Sequence, residues 1–434
     1  MIQDPTELRA HKRAAYGALA ALFGMNLLNY IDRYILAAVL GPVKDDLGIT
    51  HQLGGWLGSA FMISYTLLSP LMGWLGDRMT RKYLLAGGVG LWSLATFGSG
   101  MANTFAEMLL SRSLMGIGEA TYAVIAPTLI ADLFPRKTRS RALAFFYLAI
   151  PLGAALGYVI GGWVHAVWGW RWAFRIVGLP GIAVALAALA LREPNRGASE
   201  EVEGPERACL DPGMRSLAAY ARLFRNRSYV WNTLAMAMMT FALGGLQLYT
   251  PDFLEKVGGM DLKQANYWLG PVLAVSGLVG TGVGGWLGDW LARRIRGAYF
   301  WMAGIAMLAS VPFIAAAMFL ARDHAAPALI FASMGIGLTL VFLNTGPSNA
   351  IITNVTVPQI RAAAFAINIF FIHLLGDIPS QPVMGWVSDQ AGMFWGLSIT
   401  LPALALSSVF YCAGARYLEA DQEAVVRQLR TATP

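Results

Sequence analysis

The chain has 434 residues, 56% of them hydrophobic and only 13% charged, with a formal net charge of +7 and two cysteines. Apolar blocks of about 20 residues or longer recur along it, the length that crosses a bilayer, so an ordinary water-soluble domain and a disulfide-stapled secreted fold are both excluded. Lys and Arg gather in loops between those blocks, and this basic balance reports membrane topology and not nucleic-acid binding.

The opening stretch MIQDPTELRAHKRAAYG has no short apolar core followed by a small-residue cleavage site, so no cleavable signal is expected and the first span is expected to stay as an anchor. Apolar blocks between polar breaks predict twelve spans, near 14–40, 53–75, 83–101, 105–131, 139–165, 171–191, 228–252, 262–288, 298–320, 325–352, 360–388 and 393–417. Breaks after even-numbered spans carry Arg78, Arg81 and Lys82, then Arg136, Lys137, Arg139 and Arg141, then Arg293, Arg294 and Arg296. Odd-numbered breaks hold far fewer, such as Lys44 or Lys256, which predicts both termini in the cytoplasm.

The first span contains NLLNYIDRYILAAVL, residues 26–40, with Asp32 and Arg33 adjacent. An insertion scale charges roughly 2.5 to 3.5 kcal/mol for each such residue at a helix centre, so intramembrane charges are functional candidates by default. Neighbours in a helix point about 100° apart, so the two need cross-helix partners. The second span ends in GWLGDRMTRK, residues 73–82, which recurs as GWLGDWLARR at 285–294, a shift of 212 residues. Gly73 and Gly285 are expected to allow close helix approach, Asp77 and Asp289 to accept from a helix N-terminus or an Arg, and Arg78, Arg81 and Lys82 to supply partners. The repeated loop is expected to act as a cytoplasmic latch. Two six-span halves that repeat one another are what alternating-access carriers use.

The fourth span, RSLMGIGEATYAVIAPTLIADLF, sets Arg112, Gly116 and Glu119 on one helix face. Two turns, about 10 Å, separate Arg112 from Glu119, which argues against a salt bridge within the helix. Counting from the outer span ends puts Asp32, Arg33 and Arg112 roughly 10 to 12 Å deep and Glu119 roughly 21 Å deep. The expectation is an outer cluster of Asp32, Arg33 and Arg112, with Glu119, Asn26 and Asn29 one or two turns deeper and Glu119 farther from Arg. A carboxyl in a poorly hydrated cavity binds a proton more readily and a nearby Arg opposes this, so a moving Arg or an arriving anion could switch protonation. Glu119 is then the first proton carrier and Asp32 the second, with Arg33, Arg112, Asn29, Asn26 and Tyr122 as the surrounding substrate and charge network.

In the fifth span Gly153, Gly157 and Gly161 lie four apart behind Pro151, a spacing that small-residue packing explains. Residues 192–227 form the long polar linker, separating an N-terminal bundle (1–191) from a C-terminal bundle and short tail (228–434); Leu217, Tyr220 and Phe224 with Arg215, Arg222 and Arg225 suit an interfacial helix. The eleventh span places His373 and Asp377 at i, i+4 before Pro379 and Pro382 interrupt the helix, a polar gate element of the second half. His373 is the lone mid-span histidine, so no metal site is expected.

Together NLLNYIDRYILAAVL, GWLGDRMTRK, RSLMGIGEATYAVIAPTLIADLFP, RSRALAFFYLAIPLGAALGY, REPNRGASE and HLLGDIPS resemble the spinster branch of the major facilitator superfamily. The first half matches nearly throughout, the second mainly around the eighth and eleventh spans, and the first latch departs from the usual pattern at Thr80. The resemblance implies two six-helix halves with pseudo-two-fold symmetry. It further implies a carrier for lysophospholipids or sphingoid phosphates, coupled to protons through Asp32 and Glu119, with Arg33 and Arg112 as the cationic pair. An anionic headgroup suits Arg, and an acyl tail suits Met and aromatic residues such as those of WNTLAMAMMTFALGGLQLYTP. Animal members work in endolysosomal or plasma membranes; the short termini and compact loops suggest a bacterial inner-membrane relative.

Expected partners are therefore an amphiphilic substrate, protons and membrane lipids, with no nucleic acid and no cofactor, and the chain acting as a monomer driven by the proton gradient. The rival readings are a symporter of small organic anions and a drug/proton antiporter. An intramembrane enzyme would need a nucleophile beside its base, and no Ser or Cys motif accompanies His373.

Overall fold

The computed structural model describes residues 5–189, 193, 223–357 and 360–431. The described residues fold as helices joined by short turns. They are α1 (Pro5–Ala38), α2 (Leu40–Leu47), α3 (His51–Arg78), α4 (Arg81–Ser99), α5 (Phe105–Leu133), α6 (Arg136–Tyr147), α7 (Ala149–Trp168), α8 (Trp170–Leu189), α9 (Arg227–Lys256), α10 (Leu262–Ala292), α11 (Ala298–Arg322), α12 (Pro327–Phe342), α13 (Thr345–Asn354) and α14 (Arg361–Ile372). A π-helical turn (His373–Asp377) leads into α15 (Ile378–Ala391), α16 (Met393–Ser398), α17 (Thr400–Gly414) and α18 (Leu418–Thr431).

Among the described residues ten helical stretches are long and apolar enough to cross a membrane. With α3 and α4, of 28 and 19 residues, they account for all twelve predicted spans. The expected tail after the last span is itself the helix α18. The linker helix expected around Leu217 and Tyr220, like Cys209, lies outside the described residues.

Local chemistry sets the helix ends. Thr104 caps α5 by accepting from Glu107 N at 3.3 Å, while the Glu107 carboxylate accepts from Asn103 N at 2.7 Å. Asn226 caps α9 in the same manner through Tyr229 N at 2.8 Å. The internal repeat extends to the turns: Gly48 and Gly259 precede α3 and α10 with φ of 60° and 62°, and Gly169 and Gly392 follow α7 and α15 with φ of 87° and 93°. Only glycine adopts that backbone freely.

The chain divides into two compact units. The first holds the described residues within 1–49, 56–203 and 262–270, the second those within 50–55, 204–261 and 271–434. In the first unit α1 packs on α7, and α4 packs on both α5 and α8. The α1/α7 contact follows from the glycine stripe. A Cβ on Gly153 would meet Tyr30 Cβ at 2.5 Å, on Gly157 Tyr34 Cβ at 2.7 Å, and on Gly161 Ala38 Cβ at 2.6 Å. Asn266 belongs to this unit too, donating to Ala38 O at 2.9 Å. In the second unit α9 packs on α17, and α11 on α12 and α17. The first turn of α3 joins it because Gly55 lies against the Gln381 carbonyl and Tyr249 OH donates to His51 O at 2.8 Å. Both units differ from the expected 1–191 and 228–434 by these short segments.

Two sequence expectations are corrected. Pro379 and Pro382 do not interrupt the eleventh span: α15 runs through both, and the irregularity precedes them as the π-turn, in which Ile378 N reaches back to His373 O. A wider turn ahead of Pro379 absorbs the hydrogen bond that its missing N–H cannot make. Close approach also does not depend on Gly73 or Gly285. A Cβ on Gly73 would find Val124 at 3.5 Å, and one on Gly285 nothing within 4 Å; the helices do come close at Gly285, but the glycines that permit it are Gly284, which lies against the Leu343 carbonyl, and Gly346, whose Cβ would fall 2.7 Å from Gly285 Cα.

Candidate functional site

The intramembrane charges of the first unit come from α1 and α5, and the glycines of α5 set how closely their neighbours approach. Gly116 lies against the Phe61 carbonyl, and a Cβ there would fall 3.0 Å from Ser64 Cβ, which brings α3 onto this face. Gly118 does the same for α4, where its Cβ would fall 2.6 Å from Trp92 N. The Phe61 and Trp92 rings are thereby pressed against the charges.

The central contact is an ion pair across helices. Arg33 Nη2 donates to Glu119 Oε2 at 2.7 Å, and Arg33 Nε donates to the same oxygen at 3.3 Å. Glu119 is fully buried, and the Arg33 side chain is 17% exposed. The Arg33 guanidinium also lies over three rings, 4.9 Å from the centroids of Tyr30 and Phe61 and 5.2 Å from Tyr65. Arg112 takes the same Phe61 ring at 5.3 Å and donates to Met115 Sδ at 2.9 Å. Two guanidiniums thus share one aromatic ring.

The expected layering is therefore corrected. Glu119 is not the acid farther from Arg; the long Arg33 side chain spans the turn that separates the backbones and places its charge on Glu119. Asp32 is buried and faces Trp92 and Thr96. Asn26 donates to Phe146 O at 3.1 Å and Tyr122 to Leu22 O at 2.6 Å, so both tie α1 to its neighbours instead of facing Glu119. Asn29 lies beside Glu119 and Trp92 and Thr96 lie beside Asp32, but none is in strict hydrogen-bond geometry, so Asp32 Oδ1, Glu119 Oε1, Arg112 Nε and Asn29 Nδ2 are buried without a well-formed hydrogen bond among the described residues. Buried polar atoms are seldom left so, which marks this cluster as the candidate site.

The repeated loops resolve differently in the two units. Arg81 is buried, donating to Asp132 Oδ2 at 2.6 Å and through Nε to Glu193 Oε1 at 3.1 Å. Glu193 also accepts from Arg81 N at 3.0 Å and Lys82 N at 3.4 Å, capping α4. Burial pushes the Glu193 carboxyl up, but these amides and the guanidinium outweigh it and hold the group below the usual carboxylate range. Arg78 folds back over Trp74, 4.1 Å from the ring centroid, and Asp77 beside it is exposed. In the second unit Asp289 accepts from Tyr299 OH at 2.9 Å. There too His373 Nδ1 lies 3.0 and 3.1 Å from the two Asp377 carboxylate oxygens, on the π-turn. No cluster of three metal-ligating side chains occurs among the described residues.

Sequence reasoning missed Asp132, Glu193, Phe61 and Tyr65. Phe61 and Tyr65 stand at i, i+4 on the second span, a spacing that an apolar lipid face would share. Glu193 follows the sixth span by a few residues and pairs with a loop 112 positions earlier, a separation no local pattern reports.

Comparison with known proteins bears on this arrangement. The profile of the Major Facilitator Superfamily matches residues 22–376. Protein spinster homolog 1 of Mus musculus is 37% identical over 406 residues, covering 90% of this chain and 76% of the relative. Sphingosine-1-phosphate transporter SPNS2 of Xenopus tropicalis is 35% identical over 395 residues, covering 87% of this chain and 74% of that protein. The crystal structure of a bacterial homolog to the human lysosomal transporter spinster, in an inward-facing and unoccupied conformation, superposes with a TM-score of 0.81. It covers 95% of this chain and 98% of that one at 22% identity, a likeness of fold.

Proposed function

The chain belongs to the spinster family of the major facilitator superfamily and is a multi-pass membrane transporter, and we propose that it carries an anionic amphiphile by alternating access, coupled to protons through Glu119 and Asp32. The observation that carries this reading is the Arg33–Glu119 pair, buried between Phe61, Tyr30 and Tyr65. Arg33 is one cation that two anions can claim. An arriving phosphate or carboxylate headgroup takes the guanidinium in bidentate fashion. Glu119 is then left buried without its cation, the state in which a carboxyl takes up a proton. When the headgroup leaves, Arg33 returns and the proton goes.

Asp32 and Arg112 extend the same exchange one step along α1 and α5. The aromatic rings hold the guanidinium in place while its anion changes, and they offer apolar contact to the part of the substrate next to the headgroup. The relative named as a sphingosine-1-phosphate transporter supports a substrate that joins an anionic head to an apolar tail. In this reading the basic loops face the cytoplasm and the chain works as a monomer.

The test is uptake into proteoliposomes of a labelled lysophospholipid and of a sphingoid phosphate, with and without an imposed proton gradient, by wild type and Glu119→Gln. The reading expects gradient-dependent flux in the wild type and its loss in the variant, with binding largely retained. Flux of neither lipid in any gradient would refute the substrate class, and wild-type gradient dependence in Glu119→Gln would refute the coupling site.

A further inference from the structure

In the first unit one cation of the basic loop, Arg81, is buried against two carboxylates, Asp132 and Glu193. Among the described residues its counterpart in the second unit has a single, exposed ion pair, Arg296 with Glu419. The loop between α10 and α11 carries Arg293, Arg294 and Arg296, and Arg416 follows the end of α17. Arg294 lies over its own helix's Trp290, 4.0 Å from the ring centroid. Two adjoining cavities of about 450 and 600 Å³ share Arg296 and Glu419 in their walls. Across both, four guanidiniums face one carboxylate, Glu419. That carboxylate lies 3.5 Å from Arg296 Nε, with the two side chains 90% and 47% exposed, a contact that solvent screens and another anion can replace.

The larger cavity continues away from the basic rim as an apolar groove. α11 and α17 run antiparallel and close together: Ser408 Oγ donates to Gly304 O at 2.7 Å, and a Cβ on Gly304 would fall 2.8 Å from Cys412 Sγ. Cys412 and Ala413 form the groove's floor, and Trp301 and Val409, both strongly exposed, form its walls. Arg296 stands just before α11 begins and Arg416 just after α17 ends, so both charges sit at the same end of a groove cut into two membrane-spanning helices. Charge at the rim and hydrocarbon below it is the layout of a phospholipid, head outward and chain inward.

We propose that this groove on the second unit binds an anionic membrane phospholipid. The phosphate lies between Arg296 and Arg416, with Arg293 and Arg294 adding to the local potential, and one acyl chain runs along Trp301, Val409 and Cys412. Binding displaces Glu419 from Arg296. A zwitterionic lipid brings its own cation to the same rim and loses the advantage. The site does not involve Arg33 or Glu119 and stands or falls apart from the transport reading.

Native mass spectrometry of the full chain in detergent, titrated with phosphatidylglycerol or phosphatidylcholine of the same acyl chains, tests it. The wild type should retain phosphatidylglycerol in preference. Arg296→Ala combined with Arg416→Ala should weaken that retention by roughly tenfold or more, because each basic group near a charged lipid contributes about as much as a few-fold in affinity. The charge-conserving pair, Arg296→Lys with Arg416→Lys, should keep most of it, which separates loss of the site from loss of the fold. Equal retention of the two lipids by the wild type, or undiminished phosphatidylglycerol binding in the double alanine variant, would overturn the proposal.

Discussion

Replacing Gly157 by alanine perturbs the charged site without touching a charge. The new Cβ would stand 2.7 Å from Tyr34 Cβ and 2.9 Å from Ile31 O. Carbon atoms rest about 3.5–4.0 Å apart, so α7 and α1 must separate by roughly 0.8 Å or more at this point. Overpacking of this kind costs about 1–3 kcal/mol, which for a unit of this size is a fall of roughly 2–10 °C in melting temperature. The displaced segment of α1, Ile31 to Tyr34, also carries Asp32 and Arg33. A comparable displacement would stretch the 2.7 Å contact between Arg33 and Glu119 towards the limit of a hydrogen bond. Thermal unfolding of the purified protein in detergent measures the first effect and proteoliposome flux the second. Gly24→Ala, also on α1, is the reference: nothing lies within 4 Å of its Cβ position, and alanine there should be neutral or stabilise by up to about 1 kcal/mol. Unfolding of Gly157→Ala at the wild-type temperature, or an equal fall in Gly24→Ala, would refute the close-packed glycine stripe.

Three further outcomes are expected. Arg33→Ala leaves the buried Glu119 carboxyl without its partner and should destabilise by about 3–5 kcal/mol, while Arg33→Ala with Glu119→Gln recovers part of the loss. Additive losses in that thermal-unfolding cycle would mean the pair is not formed. Glu193 has a depressed proton affinity in the folded protein, so its contribution is present above the ordinary carboxylate value near about 4.3 and is lost as pH falls through its lower folded value. The melting gap between wild type and Glu193→Gln should thus be open at neutral pH and close in acid; a gap that widens in acid would contradict the capping role. Asp389 accepts from His51 N at 2.8 Å and Gln52 N at 2.9 Å at the start of α3, so Asp389→Ala should cost about 1 kcal/mol, and an unchanged unfolding temperature would show that the cap carries no weight.

The sequence announces the spans because a bilayer demands about 20 apolar residues each time, and it announces the two halves because GWLGD recurs at the same span of each. The charges Asp32, Arg33, Arg112 and Glu119 are legible for the same reason: each is conspicuous in an apolar run. Their pairing is not. Depth counted along helix axes locates Cα atoms, whereas Arg33 acts at the end of a long side chain, and that reach reverses the expected order of Glu119 and Arg. The rings that receive Arg33 are likewise hidden, since Phe61 and Tyr65 look like any lipid-facing pair until Gly116 draws α3 inward. The π-turn at His373 escapes notice because proline in sequence signals a break, and only the three-dimensional helix reveals one wider turn doing the same work.

The central claim is that Arg33 is shared between Glu119 and the substrate's anionic head, with a proton making up the difference. It is tested most directly by titrating a sphingoid phosphate into the detergent-solubilised protein in weak buffer with a pH indicator, for wild type and Glu119→Gln. The difference between the two proteins cancels the ligand's own titration. The account predicts proton uptake by the wild type on binding that is absent in the variant, although the variant still binds. Equal proton exchange in both, with binding intact, would contradict it.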